Sequence, residues 1–171
     1  EFAKANGPLE KLLAQNKVLV CAGSGGVGKT TVSASLGLRA AEMGLRVLAL
    51  TVDPARRLAT ALGLDVGDDR ERRVSLESLG SKGELWAAVI DSKKTFDAFV
   101  ARHASGEDVA NKILRNRLYQ QLSTTLSGSQ EFTSLERLLQ ATESGRYDLV
   151  ILDTPPTKHA MDFLTAPERI E

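Results

Sequence analysis

Cysteine is almost missing from this chain, and its scarcity removes whole classes of function. A single residue, Cys21, excludes an internal disulfide and any cysteine-cluster metal site within one chain, and fits a reducing, cytoplasmic compartment. Histidine is nearly as scarce: His103 and His159 complete no metal-ligand spacing and read as structural or surface residues. Net charge is absent too. The 22 lysines and arginines balance 22 aspartates and glutamates, so no global field favours nucleic acid or an anionic membrane. No apolar run approaches the ~18 residues of a membrane span, and no signal peptide opens the chain. Aromatics make up only 5% of residues, and Trp86 and the phenylalanines read as core rather than as a platform for nucleobases.

With 42% hydrophobic and 26% charged residues over 171 positions, the chain is globular and reads most simply as one domain, residues 1–171. It opens on Glu1 rather than methionine and stops at Glu171, so a piece truncated at its C-terminus is expected.

Strand and helix patterns alternate along it. Apolar strands are expected at 17–22, 45–53, 84–91 and 147–153. The first is followed by a glycine-rich loop and then by a helix with apolar positions Val32, Leu36, Ala40 and Met43, closed by Gly44. Pro54 suits the first turn of a second helix. The charged stretch 67–73 reads as a solvated loop and Asp148 as a surface turn residue. Between the last two strands, residues 92–145 carry helical stripes: Phe96, Phe99, Val100 and His103; then Val109, Ile113 and, later, Leu118, Leu122 and Leu126; then Phe132, Leu135, Leu139 and Thr142. This order predicts an α/β fold, a mainly parallel sheet flanked by helices, with residues 92–145 as a helical insertion. Ligands then bind beyond the carboxyl ends of the strands, where the glycine loop, Asp53 and Asp153 should converge.

The stretch "CAGSGGVGKTT" (21–31) satisfies two fingerprints at once. Gly23, Gly25 and Gly28 fit the dinucleotide pattern G-x-G-x-x-G, and Gly23, Gly28, Lys29 and Thr30 fit the P-loop pattern G-x-x-x-x-G-K-[ST]. A dinucleotide site explains neither the lysine nor the hydroxyl, although Asp53 falls where its ribose acid would be. A P-loop uses both. Backbone N–H groups of Gly25, Gly26, Val27, Gly28, Lys29, Thr30 and Thr31 ring the phosphates, Lys29 reaches the outer ones, and Thr30 ligates magnesium. "LVILDTPP" (149–156) adds an aspartate, Asp153, at the end of an apolar strand, the Walker-B arrangement that also serves magnesium.

"GSGGVGKTT", "TVDPARRLATALG" and "LVILDTPPTKHAMDFLTAPERI" together resemble the P-loop, switch I and switch II of the arsenical pump-driving (ArsA) ATPases, a deviant Walker A class of P-loop NTPase. The resemblance runs from about Lys17 to Ile170. It implies ATP or ADP as the nucleotide, with Mg2+, and a homodimer or a heterodimer with a related ATPase. It implies that Asp53 positions the attacking water, with Lys29 as its catalytic partner and Thr30 and Asp153 on the metal side. In relatives the region corresponding to 92–145 forms a surface for a protein client or a membrane partner. Family members usually carry a second lysine just after the first P-loop glycine, where this chain has Ser24, and Arg56 and Arg57 are the nearest cations that could replace it. A lone cysteine also leaves no thiol set for arsenite. The departure at Ser24 keeps a second reading open, a nucleotide-binding regulatory module with little or no hydrolysis.

Overall fold

The computed structural model describes residues 7–52, 57–64, 70–77, 80–126 and 130–155, with the side chains of 122 and 124–126 left out. Five strands form one sheet in the order β1-β5-β2-β4-β3: β1 Val18–Cys21, β2 Arg46–Thr51, β3 Arg72–Arg73, β4 Glu84–Val89 and β5 Leu149–Asp153. All neighbours run parallel except β3, which pairs antiparallel with β4 through Arg73 and Trp86. The sheet is therefore mixed at one edge and parallel elsewhere, the arrangement expected of alternating strands and crossover helices.

Alternation along the central strands builds a three-layer core, because successive side chains point to opposite faces. Val47 and Ala49 of β2, with Leu149 and Ile151 of β5, pack with α1 (Pro8–Gln15), α2 (Lys29–Glu42) and α3 (Arg57–Ala61). Leu48 and Leu50, with Val150 and Leu152, face α7 (Gln130–Glu143) through Leu138 and Ala141. Every residue of β5 is buried, as its unbroken apolar run requires of a strand covered on both faces.

Helix α2 departs from its expected stripe. Its buried positions are Ser33, Ala34, Gly37, Ala40 and Ala41, while Val32 is 51% exposed. The inward face is made of small residues because the helix lies close to the sheet. A Cβ on Gly37 would come within 3.1 Å of the Leu85 side chain. Gly44 does close the helix, with φ at +96° and its N–H on the Ala41 carbonyl.

Helices α4 (Ser92–His103), α5 (Glu107–Arg115), α6 (Arg117–Leu126) and α7 connect β4 to β5. Phe96, Phe99, Tyr119 and Phe132 stack together between them, with Tyr119 Oη donating to Asp97 at 2.7 Å. Three expected apolar stripe members lie outside: Val109 is 41% exposed, Leu118 is 69% exposed, and on α7 Leu138 is buried where Leu139 was expected.

The charged stretch before β3 is also not merely solvated. Glu71 accepts from Arg137 Nη2 at 2.6 Å, Arg146 Nη1 at 2.9 Å and Tyr147 Oη at 2.7 Å, tying this segment to α7 and to the approach to β5. Burial pushes the Glu71 carboxyl upward, but the hydrogen bonds from Tyr147 and Arg137 and the two guanidinium charges outweigh it and hold the group below its ordinary value. Asp148 likewise does more than turn the chain. Its carboxylate takes Arg46 Nη2 at 2.7 Å and the Arg46 N–H at 2.8 Å, and these hydrogen bonds hold it below the usual carboxylate range. No helix among the described residues is long and apolar enough to cross a membrane.

Candidate nucleotide site

The register of the sheet levels three strand ends. Asp153, the last residue of β5, sits beside Cys21, the last of β1, on one side and beside Thr51, the last of β2, on the other. The glycine loop leaves β1 at this level and turns into α2. Gly28, the residue before α2, has φ at +89°, and Gly26 has φ at +78°. A Cβ at either position would meet nothing within 4 Å, so backbone conformation and not crowding demands glycine here. The bare backbone that results borders a cleft of about 610 Å³.

Gly25, Gly26, Gly28, Lys29, Thr30 and Thr31 line this cleft from the loop side. Asp153, Thr154 and Pro155 line it from β5, and Val52 from the end of β2. Arg57 and Gln130 flank it from α3 and α7. Val27, at the tip of the loop, is 61% exposed and not part of the lining. Asp53, Pro54 and Arg56 lie outside the described residues, as do His159 and Asp162.

Within the cleft, Thr30 Oγ1 donates to Asp153 Oδ2 at 2.7 Å, and Thr51 Oγ1 donates to the same oxygen at 3.3 Å. Asp153 is 2% exposed, so its charge depends on such donors. The Lys29 ammonium donates to the Ser24 carbonyl at 2.9 Å and so bridges the two ends of the loop. Thr154 fastens β5 to β1 twice, through its N–H at 3.2 Å and its hydroxyl at 2.9 Å, both to the Cys21 carbonyl. Cys21 is half-buried beneath this contact, in keeping with a small packing residue.

The donor set fits a magnesium nucleotide. A hydroxyl and a carboxylate in contact are hard oxygen ligands of the kind magnesium takes together with phosphate oxygens. The exposed backbone of a glycine loop at the start of a 14-residue helix, with one lysine, suits the phosphates. Nothing here resembles a polydentate protein cage: no group of three or more His, Cys, Asp or Glu residues among the described residues could hold a metal by itself.

Sequence reasoning missed Thr51, Thr154 and Gln130. Thr154 directly follows Asp153 and Thr51 lies two residues before Asp53, so both were legible as strand-end hydroxyls. Gln130 carries no motif and reaches the cleft only through the path of α7.

The chain is similar to several known ATPases. ATPase GET3 of Podospora anserina is 31% identical over 165 residues, covering 95% of this chain and 47% of that protein. ATPase get3 of Schizosaccharomyces pombe is 32% identical over 172 residues, covering 99% of this chain and 50% of its own length. ATPase ARSA1 of Chlamydomonas reinhardtii is 29% identical over 195 residues, covering 98% of this chain and 25% of its own. The chain thus spans about half the length of the two GET3 relatives. The ArsA ATPase profile, described as anion-transporting ATPase, matches residues 16–171, nearly the whole sequence, and the chain belongs to the anion-transporting ATPase family.

Proposed function

We propose that this chain is the ATP-binding, magnesium-dependent ATP-hydrolysing domain of an anion-transporting ATPase, with residues 92–145 inserted as a helical unit. The observation that carries this reading is the meeting of Lys29, Thr30 and Asp153, brought from β1–α2 and β5 into one cleft bordered by bare glycine backbone.

Bound magnesium would draw charge from the phosphates and orient them. Thr30 and Asp153 would hold that ion, Thr30 directly and Asp153 by accepting hydrogen bonds around it. Backbone N–H groups of residues 25–31 would take the phosphate oxygens, and Lys29 would leave the Ser24 carbonyl for the outer phosphates. Asp53, two residues beyond Thr51 in the sequence, would orient the attacking water. Arg57 lies on the cleft wall and suits the cation role that Ser24 leaves open.

The cycle would open and close a homodimer, or a heterodimer with a related ATPase, in the cytoplasm, and pass its work to a protein client or membrane partner through the helical unit. Exposed Val109 on α5 and Leu118 on α6 support such a surface. Phosphate release is the deciding measurement, made on the full-length protein with and without its dimer partner. Magnesium-dependent release supports the reading. Tight ATP binding without release would favour a regulatory nucleotide-binding module, the alternative that Ser24 keeps in view.

A further inference from the structure

Among the described residues, one member of the helical unit reaches the nucleotide cleft: Gln130, the first residue of α7. It is exposed, and its position is fixed from behind. Thr133 and Ser134 are fully buried, and both hydroxyls donate to the Gln130 carbonyl. Thr133 Oγ1, whose one proton goes to that carbonyl, also lies 3.1 Å from Ser92 Oγ and can accept from it, joining the start of α7 to the start of α4.

Further along, α7 is clamped on two sides. Glu136, 6% exposed, pairs with Arg102 of α4 at 2.7 Å. Arg137 pairs with Glu71 at 2.6 Å. These ion pairs tie α7 to α4 and to the segment leading into β3, so a displacement at Gln130 would be passed to both.

Gln130 lines the same cleft as Lys29, Thr30 and Asp153, and its carboxamide suits a phosphate there. It donates through its N–H groups and accepts through its oxygen, without adding charge next to Asp153. A terminal phosphate oxygen takes the first and a water molecule the second, a pairing that orients water in phosphoryl transfer.

Resting on the ATPase reading above, we propose that Gln130 is a positioning residue that recognises the terminal phosphate of a nucleoside triphosphate, and that it makes the placement of α7, and through it the helical unit, depend on whether that phosphate is present. A diphosphate would leave Gln130 without this contact.

The test compares wild type with Gln130→Ala, Gln130→Glu and Gln130→Asn by calorimetry, using magnesium with ADP and with a non-hydrolysable ATP analogue. Gln130→Ala should lower affinity for the analogue about tenfold and leave ADP affinity unchanged. Gln130→Glu, which sets a carboxylate against the phosphate, should lose more, and Gln130→Asn should recover part. Hydrogen exchange provides a readout independent of turnover. The analogue should slow exchange across 130–143 relative to ADP in wild type, and this difference should vanish in Gln130→Ala.

An unchanged analogue-to-ADP ratio in all three variants overturns the proposal while leaving the ATPase reading intact, and so does an equal loss for both nucleotides. Failure of wild type to bind either nucleotide overturns both. Since Gln130 is exposed, an unchanged thermal midpoint in each variant is expected, and a lowered one in Gln130→Ala with normal ratios in Gln130→Glu also counts against it.

Discussion

The Thr30 hydroxyl rests 2.7 Å from the Asp153 carboxylate, joining the start of α2 to the end of β5 across 123 residues of sequence. Asp153 is 2% exposed, so this bond both steadies a buried charge and brings together two oxygens suited to one cation. Thr30→Ala should destabilise the nucleotide-free protein by about 1–3 kcal/mol, the cost of depriving a buried acceptor of its donor. It should also raise the magnesium concentration needed for ADP to stabilise the fold. Thermal unfolding at several magnesium concentrations measures both. Asp153→Asn should remove the magnesium response while keeping an acceptor for both threonines.

Lys29 and Asp53 should separate binding from chemistry. Lys29→Ala removes charge-assisted hydrogen bonds worth about 1.5–3 kcal/mol, on the order of 10- to 100-fold in nucleotide affinity. Its present bond, to the exposed Ser24 carbonyl, is replaceable by water, so the fold should not suffer. Asp53→Asn should bind normally and turn over slowly, because a water-orienting carboxylate acts on the transition state. Nucleotide titration beside single-turnover hydrolysis distinguishes the two. Affinity indifferent to Lys29 would remove the P-loop assignment.

Gly83 precedes β4 under a steric constraint unrelated to positive φ. A Cβ there would lie 2.4 Å from the Leu45 carbonyl oxygen and 2.5 Å from that of Ala41, both backbone atoms. Gly83 also donates its N–H to Ala41. Gly83→Ala should therefore force the α2–β2 turn away from β4 and destabilise the fold by roughly 1–3 kcal/mol. Denaturant unfolding is the check, and an unchanged midpoint would show that the turn yields freely.

Glu71 gives the protein a pH signature. Its folded value is depressed below 4.5, so its contribution to stability is fully present above that value and is lost as pH falls through the lower folded value. Glu71→Gln should lower the thermal midpoint at pH 7 and lose that disadvantage as pH falls from 4.5 through the lower folded value. A gap that widens in acid would contradict the assignment.

The strands were readable because each is an apolar run with punctuation, and the P-loop because its chemistry requires both residue type and spacing. Asp153 was legible for the same reason: one polar residue closes a run of four buried ones. The helical stripes were less so. Leu138 and Leu139 differ by one position, and a single-residue rotation of α7 about its axis decides which one is buried. On α2 the apolar pattern pointed outward at Val32, because close approach to Leu85 favours glycine and alanine over larger side chains. Strand β3 is two residues long and held as much by Glu71 and its three partners as by sheet pairing, and such an ionic cluster leaves no periodic trace. Gln130 was invisible for a related reason, since a residue that reaches a site through the path of a helix has no neighbouring motif.

The place of β5 in the sheet bears on how the protein is made. β5 is the last strand among the described residues yet lies between β1 and β2, pairing Val18 with Val150 and Leu48 with Val150 on its two sides. A ribosome therefore delivers the glycine loop and its lysine long before the strand that separates β1 from β2. Until residue 153 emerges, the nascent chain has its glycine loop but no Asp153 carboxylate for Thr30 to meet, and β1 and β2 lack the strand that pairs with both. Closing a loop of this length delays the central pairing relative to the local helices. The four helices between β4 and β5 are thus synthesised, and free to fold, before Thr30 and Asp153 can meet.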